Sequence, residues 1–366
     1  MEMSRVTEIL TGRSNGVEIP LIAGPCSAES YEQLRATVIQ LKDIPNLIAV
    51  RAGVWKPRTR PGSFEGIGEY ALRWISELKK ETGLPFAVEV ANSWQTELAL
   101  KAGIDILWLG ARTTVNPFYV QEISDSLRGV DVPVMVKNPI HADLGLWIGA
   151  VERLKKSGIN RIVAVHRGFF TSGTSVFRND PKWEIPVEFR TLCPDVPLMC
   201  DPSHISGKRD YIYEISQAAL DLEMHGLMIE SHYNPDVALS DARQQVTPAQ
   251  LKEIMKALVR RADHTKNPFA CRELEALRSK IDHLDHEILQ LLEKRKGLVE
   301  AIGELKKEHN ITILQFERWF EIVKDRSKVA RLLGLDEQVV LEIFQLIHRS
   351  SIQIQQQILN AKPTDV

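Results

Sequence analysis

The sequence predicts an α/β protein: a (β/α)8 barrel followed by an all-α segment. Three observations carry that prediction. Eight short aliphatic segments alternate with amphipathic helical runs between residues 19 and 260. The segments are apolar on both faces, as parallel strands covered by helices are. After Ala262 the strand-like segments stop and a long helical periodicity takes over.

The first segment, Ile19–Ala23, runs into Gly24-Pro25-Cys26-Ser27. The second, Leu47–Arg51, is followed by Lys56-Pro57-Arg58-Thr59. Pro85–Val90 is the third, and Asp105–Leu109, the fourth, leads into Gly110-Ala111-Arg112. Val132–Val136 is closed by Lys137, and Arg161–Val165 is followed by His166-Arg167-Gly168. Pro197–Cys200 opens onto Asp201-Pro202-Ser203-His204, and Leu227–Glu230 leads to Leu239-Ser240-Asp241. Tyr70–Thr82, Gln95–Ala102, Leu144–Ser157 and Tyr211–His225 read as helices between them. Gly103 and Gly158 stand where a left-handed C-cap is wanted. A doubly wound open sheet is the competing topology. It would normally carry a glycine-rich phosphate loop after its first strand. Here the loop contains Pro25, which has no N–H to offer.

Strand C-termini of such a barrel converge on one mouth. Seven of the eight segments end in residues able to bind a metal or an anion. Cys26, His204, Glu230 and Asp241 form a mixed set of one thiolate, one imidazole and two carboxylates. That set lacks the closed pattern of structural zinc and suits Mn, Fe, Co or Zn better than Mg or Ca. Arg51, Lys56, Arg112, Lys137 and Arg167 would surround it. Guanidinium groups bind phosphate and carboxylate in bidentate fashion, so the pocket suits a ligand bearing both. A Schiff-base aldolase remains an alternative, since Lys56 and Lys137 lie among arginines.

The whole chain has 366 residues with a formal charge of −2, so no global positive field argues for nucleic acid. No apolar run is long enough to span a membrane, and the N-terminus has no signal-like core. A cytoplasmic protein is expected. The four cysteines form neither a CxxC pair nor a disulfide framework. The domains expected are 1–262 for the barrel, 263–271 for a linker and 272–366 for the helical part.

From Arg272 to Glu308 there is no proline, and Leu274, Leu277, Ile281, Leu284, Ile288 and Leu291 recur at three- and four-residue spacing. This predicts a single helix about 50 Å long. Few short neighbours could bury its stripe, so pairing with a second copy is expected. Phe316–Leu332 and Asp336–Ile358 supply two further helices.

The barrel motifs in this order resemble those of the type I, β-subclass 3-deoxy-D-arabino-heptulosonate 7-phosphate synthases, across about residues 18–260. The resemblance implies a TIM barrel that condenses phosphoenolpyruvate with D-erythrose 4-phosphate and water. It implies Cys26, His204, Glu230 and Asp241 as ligands of a divalent transition metal, Mn2+ first, with Co2+, Fe2+ or Zn2+ as alternatives. Arg51, Lys56, Arg112, Lys137 and Arg167 would hold phosphoenolpyruvate, and Arg58 and Thr59 the aldose phosphate. The sibling 3-deoxy-D-manno-octulosonate 8-phosphate synthases usually carry a Lys-Ala-Asn-Arg-like segment where this chain has Lys56-Pro57-Arg58-Thr59.

Residues 272–359 resemble the all-helical chorismate mutases, through Leu277–Asp285, Leu291–Arg295, Gly303–Lys306, Phe344–Ile347 and Gln355. That resemblance implies an intertwined homodimer that rearranges chorismate to prephenate, with Arg278, Arg295, Lys306, Arg318 and Gln355 at its site. Gln315 and Trp319 depart from the family, standing where many members have acids that contact the substrate's ring hydroxyl. A chorismate- or prephenate-sensing module is therefore the alternative role for this domain. With the first strand near Ile19, no regulatory domain is expected ahead of the barrel, which leaves feedback to the barrel surface or the helices.

Overall fold

In the computed structural model, which describes residues 19–57, 62–172, 175–262 and 264–361, the strand segments close into one parallel barrel. The order is β1 (Leu21–Gly24), β2 (Leu47–Arg51), β3 (Phe86–Val90), β4 (Ile106–Leu109), β5 (Val134–Lys137), β6 (Ile162–His166), β7 (Leu198–Cys200) and β8 (Gly226–Glu230). β8 pairs back onto β1, from Leu21 against Leu227 to Gly24 against Glu230. The open doubly wound alternative is thereby excluded.

Four strands begin one residue after a proline, and the reason is chemical. Pro20, Pro85, Pro133 and Pro197 have no N–H to give the ladder, yet their carbonyls accept from Leu227, Val50, Leu107 and Ala164. The expected starts at Ile19, Pro85, Val132 and Pro197 were early for this reason.

Helices cover the outside: α1 (Tyr31–Leu41), α2 (Glu69–Thr82), α3 (Ser93–Lys101), α4 (Ala111–Thr114), α5 (Pro117–Ser126), α6 (Leu144–Lys156), α7 (Glu184–Leu192), α8 (Pro202–Ser206), α9 (Ile212–Asp221) and α10 (Pro248–Ala257). Several of their starts are capped by side chains: Ser30 accepts from Gln33 N, Asn92 from Gln95 N and Asp143 from Leu146 N. α9 is shorter than the expected helix, because Arg209–Tyr211 is a 3-10 turn and the α-helix stops at Asp221. Two apolar layers result. Leu21, Val50, Val88, Leu107, Val136 and Ile229 face the helices. Ile22, Ala49, Ala87, Ile106, Met135, Val163, Met199 and Met228 fill the barrel interior.

The chain divides into two compact units, Met1–Asp263 and His264–Val366. In the second, α11 (Pro268–Glu308) is longer than expected, about 60 Å by its rise. Asn267 caps it by accepting from Phe269 N and Ala270 N, and Pro268 takes the first helical position. The first turn therefore includes residues 268–271, which the sequence placed in the linker. α13 (Glu337–Asn360) lies along α11, and α12 (Phe316–Leu332) packs against α13. Much of the apolar stripe of α11 stays exposed, including Leu277, Ile281, Leu284, Ile288 and Leu291. Among the described residues no helix is long and apolar enough to cross a membrane.

Candidate functional site

Strand periodicity builds the first site. Side chains alternate between core and interior, so the residue two beyond each interior apolar group points inward at the mouth. Ala49 is thus followed by Arg51, Ala87 by Glu89, Ile106 by Trp108, Met135 by Lys137, Val165 by Arg167, Met199 by Asp201 and Met228 by Glu230. The third strand, for which the sequence reading named no functional residue, contributes Glu89. The signal that finds it is its phase with Ala87.

Cys26, Glu230 and Asp241 converge, with one donor atom of each within 4.8 Å of the others. The fully buried Cys26 donates from Sγ to Asp241 Oδ2 at 3.3 Å, and its backbone N–H donates to Gln245 Oε1 at 2.9 Å. Burial, and then the Glu230 charge, push its thiol up to about 12. His204 stands beside this trio rather than within it: Nε2 lies 3.7 Å from Glu230 Oε1. Its Nδ1 is 2.8 Å from Asp201 Oδ2. Asp241 occupies a left-handed backbone conformation, φ 48°, which an L residue adopts only under strain. Arg178 anchors it by donating to Oδ1 at 3.0 Å. Burial opposes ionisation of Asp241, but Arg178 and His204 outweigh it and hold the carboxyl well below its ordinary range.

The cations are locked in a dense polar network. Arg51 Nη2 meets Glu230 Oε1 at 3.0 Å, and Gln244 donates to Glu230 Oε2 at 2.7 Å. Lys137 donates to Asp201 Oδ2 at 2.6 Å. Burial lowers the Lys137 pKa despite that partner. Trp108 forms a floor, 5.2 Å from the Arg51 guanidinium carbon and 5.7 Å from Lys137 Nζ. Arg167 donates to Asn179 Oδ1 at 2.9 Å, and burial brings it down to about 10. Burial also works against the Lys56 charge, but Cys26 and Glu230 outweigh it and raise its pKa. Lys56, Arg112, Lys137, Arg167 and Arg178 line one cavity together with Glu89, His204 and Asp241. The sequence reading did not name Arg178, whose loop precedes β7. Arg58 and Thr59 lie outside the described residues.

Gly110 explains how Glu89 is aimed. A Cβ there would overlap Glu89 Oε1, the far end of a flexible side chain. Gly110→Ala should therefore leave the melting temperature within about 2 °C while displacing the carboxylate and lowering barrel turnover about tenfold or more. An unchanged turnover would show that Glu89 has no part in it.

In the helical unit, Arg295 donates to Ser351 Oγ at 2.7 Å, and Lys306 donates to the Ile313 carbonyl at 2.6 Å. Gln355 is buried near Gly303, where an added Cβ would come within 3.5 Å of Gln355 Cγ. Gly303 thus admits the close approach of α13. Burial lowers the pKa of both Arg295 and Lys306 from the ordinary value. Two other residues named from sequence stand apart in this chain. Arg278 is exposed and paired with Glu275, and Arg318 is exposed and paired with Glu321. Trp319 stacks on His348, ring centroids 4.2 Å apart.

Residues 2–267 match the DAHP synthetase I family, and residues 277–356 match chorismate mutase type II. The chain is 28% identical over 243 residues to a phospho-2-dehydro-3-deoxyheptonate aldolase of Thermotoga maritima, covering 66% of this chain and 70% of that one. It is 26% identical to a 2-dehydro-3-deoxyphosphooctonate aldolase of Syntrophotalea carbinolica, covering 70% and 94% respectively. A crystal structure of the Thermotoga maritima DAHP synthase superposes with a TM-score of 0.58 at 28% identity, covering 65% of this chain and 67% of that one. The match to the first family spans well over half of the sequence and takes in the whole barrel mouth. This chain belongs to the DAHP synthetase I family and carries a chorismate mutase domain behind its barrel, so that catalytic domains for both activities are present.

Proposed function

We propose that the barrel joins phosphoenolpyruvate to D-erythrose 4-phosphate and that the helical unit converts chorismate to prephenate. One observation carries the first half: a thiol and two carboxylates of metal-binding type converge at a mouth walled by cations. In the condensation, C3 of the enol forms a bond to the aldehyde carbon. Water adds at C2, and phosphate departs by C–O cleavage.

Arg51, Lys56, Arg112, Lys137 and Arg167 would hold the phosphate and carboxylate of phosphoenolpyruvate, with Arg58 and Thr59 toward the aldose phosphate. Arg51, Lys137 and Arg167 are held by Glu230, Asp201 and Asn179 before substrate arrives, so they would stabilise developing negative charge without reorganising. Lys56 stays protonated at neutral pH, which suits it to donate a proton rather than accept one. Glu89 brings a carboxylate to the cavity wall, where it can orient water. The donor set fits a divalent transition metal, Mn2+ first, with Co2+, Fe2+ or Zn2+ as alternatives. Cys26, Glu230 and Asp241 would hold it with His204 as fourth donor, and it would act as a Lewis acid on the aldehyde oxygen or on water.

The aldose assignment is tested by competition. We expect kcat/KM with erythrose 4-phosphate to exceed that with arabinose 5-phosphate by at least about 100-fold, a difference of about 3 kcal/mol in transition-state binding. Equal or better use of arabinose 5-phosphate would move the chain to the octulosonate activity.

Chorismate rearranges without a covalent intermediate, so its catalyst needs shape and well-placed cations. Arg278, exposed in its own chain, would serve a partner copy's pocket, and the exposed stripe of α11 would form the seam of a homodimer. Light scattering should give twice the chain mass, and a monomer still active on chorismate would refute that seam. The sensing role rests on Trp319 standing in place of an acid. It requires prephenate to lower the synthase rate of the full chain. We read the protein as cytoplasmic, with neither nucleic acid nor membrane among its partners.

A further inference from the structure

We propose that His348 is a substrate-contacting residue of the helical site, accepting through Nε2 the hydrogen bond of chorismate's ring hydroxyl. This rests on the mutase reading and deepens it. His348, Ser351 and Gln355 follow one another at spacings of three and four along α13, so they share one helix face. Ser351 on that face is bonded to Arg295, and Gln355 packs at Gly303, three residues before Lys306. His348 therefore stands in line with the groups already assigned to the pocket.

Its ring is held by Trp319, parallel within 18° at a centroid separation of 4.2 Å. Stacking covers a face of the imidazole and leaves its edge for polar contact. The Nε2 atom at that edge is buried and has no hydrogen-bond partner. Buried polar atoms without partners are costly, and such an atom in a site is explained by a ligand that supplies the missing bond.

The chemistry of the pocket says which bond is missing. Arg295 and Lys306 can only donate, and the Trp319 indole can only donate. Gln355 also has a buried unpartnered acceptor, Oε1, but it sits two helical turns from His348, at Gly303, with its amide nitrogen for the ether oxygen. A hydroxyl on the substrate needs an acceptor, and neutral imidazole provides one. Burial first, then Arg295 and Lys306, hold His348 below its ordinary pKa, so it is neutral near pH 7 and keeps its lone pair. The neutral ring has a second consequence. A carboxylate beside Arg295 and Lys306 would compensate part of their charge, whereas the imidazole leaves both charges for the substrate dicarboxylate.

The test uses the full-length chain with His348→Leu and His348→Gln, each assayed with chorismate. Binding is measured with a bicyclic ether dicarboxylate mimic of the transition state, made with and without the hydroxyl. His348→Leu should lower kcat/KM about 30-fold or more, while His348→Gln, which keeps an acceptor, stays within about fivefold. The hydroxylated mimic should bind His348→Leu correspondingly less tightly, and the deoxy mimic should bind it and the wild type alike. The 15N resonance of His348 Nε2 should move with the first mimic and not with the second. Equal losses for both mimics, or no loss at all, would reduce His348 to packing against Trp319 and overturn the inference. If the wild-type chain neither turns over chorismate nor binds either mimic, the mutase reading itself fails, a result distinct from selective failure of the variant.

Discussion

Exhaustive chelation is expected to bring barrel turnover below about 1% of its starting value, and added Mn2+ or Co2+ to restore it. The expectation follows from Cys26, Glu230 and Asp241, whose donors sit within 4.8 Å of one another in a fully or largely buried setting. Arg51, Lys56 and Arg178 offset part of the negative potential gathered there, and a divalent ion would complete the compensation. Cys26→Ala should weaken metal affinity by at least about 100-fold, since losing even a supporting contact to a metal ligand costs 10- to 100-fold. The fold should survive, because the substitution removes one sulfur atom and costs only about 1–2 kcal/mol of packing. Calorimetric titration with Mn2+ reads the affinity independently of turnover. Full activity in protein shown metal-free by elemental analysis would sink the metal-dependent reading, and so would unaltered affinity in the variant.

Arg295→Ala should lower kcat/KM for chorismate by at least about 100-fold while barrel activity stays within about twofold. Arg295 is partly buried and donates to Ser351 Oγ at 2.7 Å, so its guanidinium is already aimed before substrate binds. Truncating one partner of a desolvated charge pair commonly costs about 2–5 kcal/mol, and each 1.4 kcal/mol is tenfold in rate. The two activities should separate because the units are compact individually and the sites are built from different residues. Ser351→Ala controls for loss of the internal bond alone. Proportional loss of both activities, in protein of unchanged circular dichroism and mass, would show that catalysis is coupled between the units.

The barrel was legible because its grammar is local. Each strand announces itself through a few aliphatic residues, helices such as Glu69–Thr82 and Leu144–Lys156 through amphipathic spacing, and the count of eight closes the sheet. Trp108, Glu89 and Arg178 were missed for different reasons. Trp108 and Glu89 follow from the inward phase of Ile106 and Ala87, a rule available in the sequence once the interior face is known. Arg178 lies in a loop with no period, and only folding reveals that it reaches Asp241, 63 positions further along.

By itself the sequence determined the order of strands and helices, the mouth at which strand-terminal residues gather, and the type of chemistry those residues allow. Alternation and helical spacing are properties of the backbone, so they can be read without tertiary contacts. Tertiary structure alone decided which donors meet. It drew Cys26, Glu230 and Asp241 into one group and set His204 beside them. It stacked Trp319 on His348 and left a buried nitrogen without a partner, and it kept Arg278 and Arg318 on the surface of their own chain. Distances of a few ångströms between residues far apart in sequence depend on packing in three dimensions, and packing is written in no single stretch of the chain.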